Sequence, residues 1–143
     1  MNFGFWRSQD LAGVEVPAFF LAGDADTVAD YENGVRAIYE NVVNSDRYLL
    51  TYKNASHNAG APYPLPVEIL NSEDKTGAEH YTDPVWDTVR MNNIMHHFAT
   101  AYFDHYLKQV EGRLSYLDLI PDGADGVYSV RNGRETDGHT YWK

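Results

Sequence analysis

Apolar positions along the chain change period three times, and each change predicts an element. Residues 17 to 22, PAFFLA, are a continuous apolar run that opens on Pro17 and stops at Gly23. That suits a strand buried on both faces, with the proline at its first position. Tyr31, Val35, Ile38, Tyr39 and Val42 then recur at helical spacing, with Asp30, Glu32, Arg36 and Glu40 largely on the other face. The pattern predicts an amphipathic helix of about three turns. The run RYLLTYKN, Arg47 to Asn54, carries the aromatic Tyr48 and Tyr52 and the β-branched Thr51 and is bounded by turn-forming NSD and NAS, which predicts a second strand.

Strand, helix, strand in so short a span is a βαβ unit, which implies parallel strands and a right-handed crossover. Asn58 to Pro84 holds four prolines and no sustained period, which predicts a long loop with one short helical turn. From Val85 to Lys108 the set Trp86, Val89, Ile94, Phe98, Tyr102 and Tyr106 keeps a helical period, and Thr82-Asp83-Pro84 in front supplies a start signal. Beyond Pro121 glycine and aspartate punctuate the chain, and GVYSV (Gly126 to Val130) is a short strand-like run. The fold class expected is α/β: a parallel βαβ unit followed by a long C-terminal helix.

In open parallel sheets the ligand crevice lies beyond the carboxyl ends of the strands. The first predicted strand runs into Gly23-Asp24-Ala25-Asp26, and the second into Asn54-Ala55-Ser56-His57-Asn58. The topology therefore brings Asp26 and His57 to one rim. A carboxylate that orients an imidazole, and an imidazole that takes a proton from a nucleophile, are the second and third members of a serine-hydrolase triad. Asp26 is the candidate acid and His57 the candidate base; Asp24 is the alternative acid, with a turn or cap role as its plain structural reading. The first member is missing. No cysteine occurs, and the serines at 8, 45, 56, 72, 115 and 129 lack the flanking glycines of a Gly-x-Ser-x-Gly elbow.

Composition narrows the partners. The 143 residues suffice for one domain with a core, and 43% are hydrophobic. With 21 acidic against 11 basic side chains the net charge is -10, which repels a phosphate backbone and argues against nucleic acid. No apolar run approaches the roughly 20 residues of a membrane span. The start MNFGFWRSQD does not read as a signal peptide. Without cysteine there is neither disulfide nor thiolate metal site, and the compartment stays open.

The segments VPAFFLAGDADTVADYENGVRAIYE, RYLLTYKNASHNAG, DPVWDTVRMNNIMHHFATAYFDHYLK and YLDL together resemble the C-terminal half of bacterial α/β-hydrolases of the predicted dienelactone hydrolase type. The resemblance runs from about Leu11 to Leu119 in the family's order and is weak after Pro121. It implies that Asp26, in the setting Gly23-x-x-Asp, is the triad acid and His57 the base. It further implies hydrolysis of a small-molecule ester or lactone, no cofactor, and a nucleophilic serine on an N-terminal half of the same fold that has no counterpart here. On that expectation residues 1–143 are a C-terminal fragment, inactive alone, with Met1 an internal or misassigned start. The contrasting expectation is a non-catalytic half-fold that binds a protein or ligand through the unpaired edge of its first strand.

Other features read as structural. His96, His97 and His105 share the long helix, but none is paired at i, i+4 with another, so a helical metal site is not formed. Asp122 to Gly126, DGADG, lacks the alternating acids of a calcium loop and reads as a turn. Asn54-Ala55-Ser56 is a glycosylation sequon by pattern only, set immediately before His57.

Overall fold

A computed structural model describes residues 6–60, 63–117, 126–127 and 139–142, the last two segments by backbone alone. A short helix, α1 (Ser8–Leu11), leads into β1 (Ala18–Gly23). The chain then turns through residues 24–30 into α2, which starts as a π-helical segment (Tyr31–Arg36) and continues as an α-helix (Ala37–Asn41). Next come β2 (Arg47–Tyr52) and the short α3 (Val67–Asn71), followed by the long α4 (Thr88–Tyr106). Two further strands, β3 (Gly126–Val127) and β4 (His139–Trp142), complete one sheet in the order β1-β2-β4-β3.

β1 and β2 are parallel, in register Ala18 opposite Arg47 through Gly23 opposite Tyr52. The β1-α2-β2 unit is thus the one its apolar periods predict. β2 is the central strand: its other edge pairs antiparallel with β4, and its residues from Tyr48 to Tyr52 are all buried. β1 is different. Only Ala22 and Gly23 are buried and residues 18–21 are half-buried, because its outer edge faces no strand among the described residues. The expectation of a strand covered on both faces fits β2 better than β1. In the tail, Gly126 and Val127 do form a strand, while 128–130 and the turn expected at 122–125 lie outside the described residues.

The apolar positions of α2 pack as spaced: Tyr31, Ile38 and Val42 are buried. Its π-helical start has a local cause. Asp30 sits at φ 54°, ψ 99° and its carboxylate accepts the N–H of Asn33 at 3.1 Å. Gly34 packs against the turn so closely that a Cβ would lie 2.0 Å from the Ala29 carbonyl oxygen. Glycine is required there by the approach.

α4 begins three residues later than the apolar pattern suggests. Its cap is Asp87, whose side chain accepts the Arg90 N–H at 2.9 Å, and not the Thr82-Asp83-Pro84 signal. Val89 is exposed, and Met91 takes the core position together with Phe98, Ala101 and Tyr102. These pack on the β2 side chains of Tyr48, Leu50 and Tyr52 and on Leu117 in one cluster. The stretch expected as a loop with one turn carries three short helical pieces, His57–Gly60, Val67–Asn71 and Ala78–His80. Among the described residues no helix is long and apolar enough to cross a membrane.

Candidate functional site

The site forms where β1 and β2 end. Gly23 closes β1 against the loop after β2: a Cβ on it would stand 2.2 Å from the Ala55 carbonyl oxygen and 2.6 Å from that of Ser56. Only a glycine lets the two backbones meet. Across this contact the Asp24 N–H donates to the Tyr52 carbonyl at 3.1 Å and the Ala25 N–H to the Ala55 carbonyl at 3.0 Å. Asn54 takes the left-handed conformation, φ 59°, that turns the chain back toward β1.

Asp26 follows, 8% exposed. Its Oδ1 accepts the backbone N–H groups of Val28 at 2.8 Å and Ala29 at 3.0 Å. Its Oδ2 lies 2.9 Å from Nδ1 of His57. Burial by itself pushes this carboxyl upward, but the hydrogen bonds from Ala29, from the His57 ring and from Val28 outweigh it, and the Asp26 pKa ends below its ordinary value. The group is a carboxylate at neutral pH, so Nδ1 carries the proton and donates it. Nε2 is left as the acceptor. The His57 side chain is 46% exposed, and among the described residues Nε2 makes no hydrogen bond.

The two residues that the topology rule sends to one rim are therefore in direct contact. Asp24, the alternative acid, does something else: its Oδ1 accepts the Asn54 N–H at 2.5 Å, a loop-capping role. No described serine faces His57 through a hydrogen bond. The Ser45 hydroxyl donates to the Val16 carbonyl, that of Ser72 accepts the Asp74 N–H at 3.1 Å, and that of Ser115 donates to the Gly112 carbonyl at 2.6 Å. Among the described residues no group of three or more His, Cys, Asp or Glu converges as for a metal ion. His96 is exposed on α4, and His97 packs edge-on to Phe98 at 5.1 Å.

Sequence reasoning passed over the second support of the loop. Asp83, buried, accepts the N–H of Val85 and of Trp86 on Oδ1, each at 2.9 Å, and the N–H of Ser56 on Oδ2 at 2.7 Å. Trp86 donates its indole N–H to the Lys53 carbonyl at 2.9 Å and meets the Tyr52 ring edge-on at 5.2 Å. An Asp-Pro pair is a recognised turn starter, and that was the available signal; its reach to Ser56 has none in a single sequence.

No protein-family model, curated protein or solved structure matches this chain.

Proposed function

We propose that this chain supplies the acid and the base of a serine-dependent ester hydrolase of the α/β-hydrolase type, similar to dienelactone hydrolases, and that the nucleophilic serine lies on polypeptide outside these 143 residues. The observation that carries the reading is the Asp26–His57 contact at 2.9 Å, with the carboxylate held by two further N–H donors and Nε2 facing outward. In the proposed reaction Nε2 takes the serine proton as the serine oxygen attacks the ester carbonyl carbon, then returns it to the departing alcohol. A water next gives its proton to Nε2 and attacks the acyl carbon, releasing the acid and restoring the serine. Asp26 keeps the ring oriented and stabilises the imidazolium in both halves. The partner substrate is a small ester or lactone.

Among the described residues the outer edge of β1 pairs with no strand, which supports the reading. The Ala18 and Asp24 N–H groups point to β2, bonding the Asp46 and Tyr52 carbonyls at 2.9 and 3.1 Å. Strand alternation therefore turns the N–H and C=O of Phe19 and Leu21 outward. A parallel strand added there would end at the rim where His57 stands. The test is the in-frame coding sequence upstream of Met1. A Gly-x-Ser-x-Gly between a strand and a helix is the expected result, and a stop codon close upstream would refute it. Purified alone, the chain should show no turnover of p-nitrophenyl esters; activity removed by His57→Ala would also overturn the proposal.

One observation favours a second reading, a non-catalytic half-fold that binds through the same edge. A cavity of 390 Å³ lies along β1, lined by Trp6, Leu11, Phe19, Phe20, Val35 and Ile38 among others. Under that reading the isolated chain melts cooperatively as a monomer, and conversion of His57 to alanine leaves its binding unchanged.

A further inference from the structure

We infer that Asp83 is a positioning residue for His57: its carboxylate ties the backbone before the imidazole to the turn that leads into α4. The inference rests on the proposed acid–base reading of Asp26 and His57 and names the residue that sets the position of the base.

The two oxygens of Asp83 have different tasks. Oδ1 takes both the Val85 and the Trp86 N–H, which is all that a local aspartate turn needs. Oδ2 is left for a residue 27 positions earlier, the Ser56 N–H at 2.7 Å. Two neighbouring links run between the same segments. The Trp86 indole reaches the Lys53 carbonyl at 2.9 Å, and the Asn58 amide donates to the Thr82 carbonyl at 3.1 Å. His57 is thus bracketed, with Lys53 and Ser56 held on one side and Asn58 on the other. The other ties of this loop run to the β1 side, the Asn54 N–H to Asp24 Oδ1 at 2.5 Å and the Ala25 N–H to the Ala55 carbonyl at 3.0 Å, and its own turn is closed by the Ala59 N–H to Ser56 carbonyl bond of 3.2 Å.

The acid and the base are accordingly anchored from opposite directions. Asp26 is set by the end of β1 and the turn before α2, through Val28 and Ala29. His57 is set by the segment before α4. A buried carboxylate that accepts three N–H groups holds its partners by charge-assisted bonds, and a misplacement of about 1 Å can cost a reacting site roughly a hundredfold.

The first experiment is amide hydrogen exchange on the 143-residue chain, read by NMR. Ser56, Val85 and Trp86 should open together as one unit. Rapid exchange at Ser56 with protection retained at Val85 and Trp86 would overturn the inference. The second experiment is Asp83→Asn, in which Oδ1 can still cap the turn but the amide nitrogen presents a donor to the Ser56 donor. Ser56 exchange should accelerate about tenfold, as for one lost hydrogen bond. The Asp26 carboxyl midpoint, followed by its carbon resonance, should move up toward the ordinary value as His57 drifts from it, and the His57 Nδ1 proton signal should be lost. An unchanged Asp26 titration in a folded variant whose Ser56 amide has lost protection overturns the proposal. Asp83→Ser, which keeps the turn cap and removes the second oxygen, gives the same readout if the asparagine variant does not fold, and the exchange result on the unaltered chain decides if neither folds. None of these measurements uses turnover, so a failed ester-hydrolase reading and a failed positioning role give different results.

Discussion

Gly23→Ala is the sharpest perturbation of the site that leaves its chemistry untouched. The new methyl would stand 2.2 Å from the Ala55 carbonyl oxygen, 2.5 Å from its carbon and 2.6 Å from the Ser56 oxygen, all of them backbone atoms. No flexible side chain can yield, so β1 and the loop must part by about 1 Å to reach ordinary contact. That movement takes the Ala25 N–H to Ala55 carbonyl bond, now 3.0 Å, beyond bonding range and strains the 2.5 Å Asn54 N–H to Asp24 bond. Two such bonds at about 1 kcal/mol each, with about 1–3 kcal/mol of residual overpacking, give a loss of about 3–5 kcal/mol. A midpoint of thermal unfolding lower by at least about 10 °C is expected. Urea titration followed by circular dichroism measures the loss, and the His57 Nδ1 proton resonance reports the pair. Gly13→Ala is the control, since a Cβ there meets only the Asp10 carbonyl oxygen, at 3.3 Å. A Gly23→Ala chain within about 1 kcal/mol of the parent, with the pair intact, would refute the argument that close backbone approach builds this site.

Asp26 links the site to acid stability. Its folded pKa lies below the ordinary value, so its contribution is complete above the ordinary carboxylate range near pH 4 and is lost as pH falls through the lower folded value. Asp26→Asn should therefore lose more stability at pH 6 than at pH 3, and a gap constant across urea melts at the two values contradicts this. Tyr31 and Thr51 share a buried hydroxyl–hydroxyl bond of 2.9 Å between α2 and β2. Thr51→Val should cost about 1–2 kcal/mol and the pair Tyr31→Phe with Thr51→Val less than the two changes added; additivity in the double-mutant cycle would count against that bond. Arg36 bridges Glu32 and Glu40, each at 3.0 Å, on the exposed face of α2. Arg36→Ala should cost under about 1 kcal/mol by the same melts, and a larger loss means the network is not a surface one.

The sequence made the β1-α2-β2 unit readable because two apolar runs and one helical period each carry their own physical signature. What it concealed depends on partners distant in the chain. β1 is the more apolar of the two strands, yet among the described residues it is β2 that is paired on both edges, because β4 lies beside it. A local window holds no trace of that pairing. The π-helical start of α2 follows from Gly34 meeting the Ala29 carbonyl, a contact that helical spacing does not encode. At the site, the topology rule brought Asp26 and His57 together but left Asp24 as an alternative. Geometry separates the two, since Asp24 faces the Asn54 backbone and Asp26 the imidazole. Asp83 is legible only as part of a start signal, because its reach to Ser56 spans the whole irregular loop.

A carboxylate beside a histidine can also be a purely structural contact, and the burial of the two groups distinguishes the cases. Asp26 is satisfied on Oδ1 by two N–H groups without the ring, while the His57 side chain is 46% exposed. If His57 is removed, the space it leaves opens to solvent, and water can serve Oδ2 in its place. A half-exposed hydrogen bond contributes little to folding. His57→Ala should then cost no more than about 1 kcal/mol, far less than the glycine substitution that leaves both side chains in place. The ring gains more from the pairing than the fold does: its tautomer is fixed and Nε2 is presented as an acceptor. Urea melts of His57→Ala beside the parent chain check this. A loss above about 2 kcal/mol would make the contact part of the scaffold and remove the reason for reading it as an acid and a base.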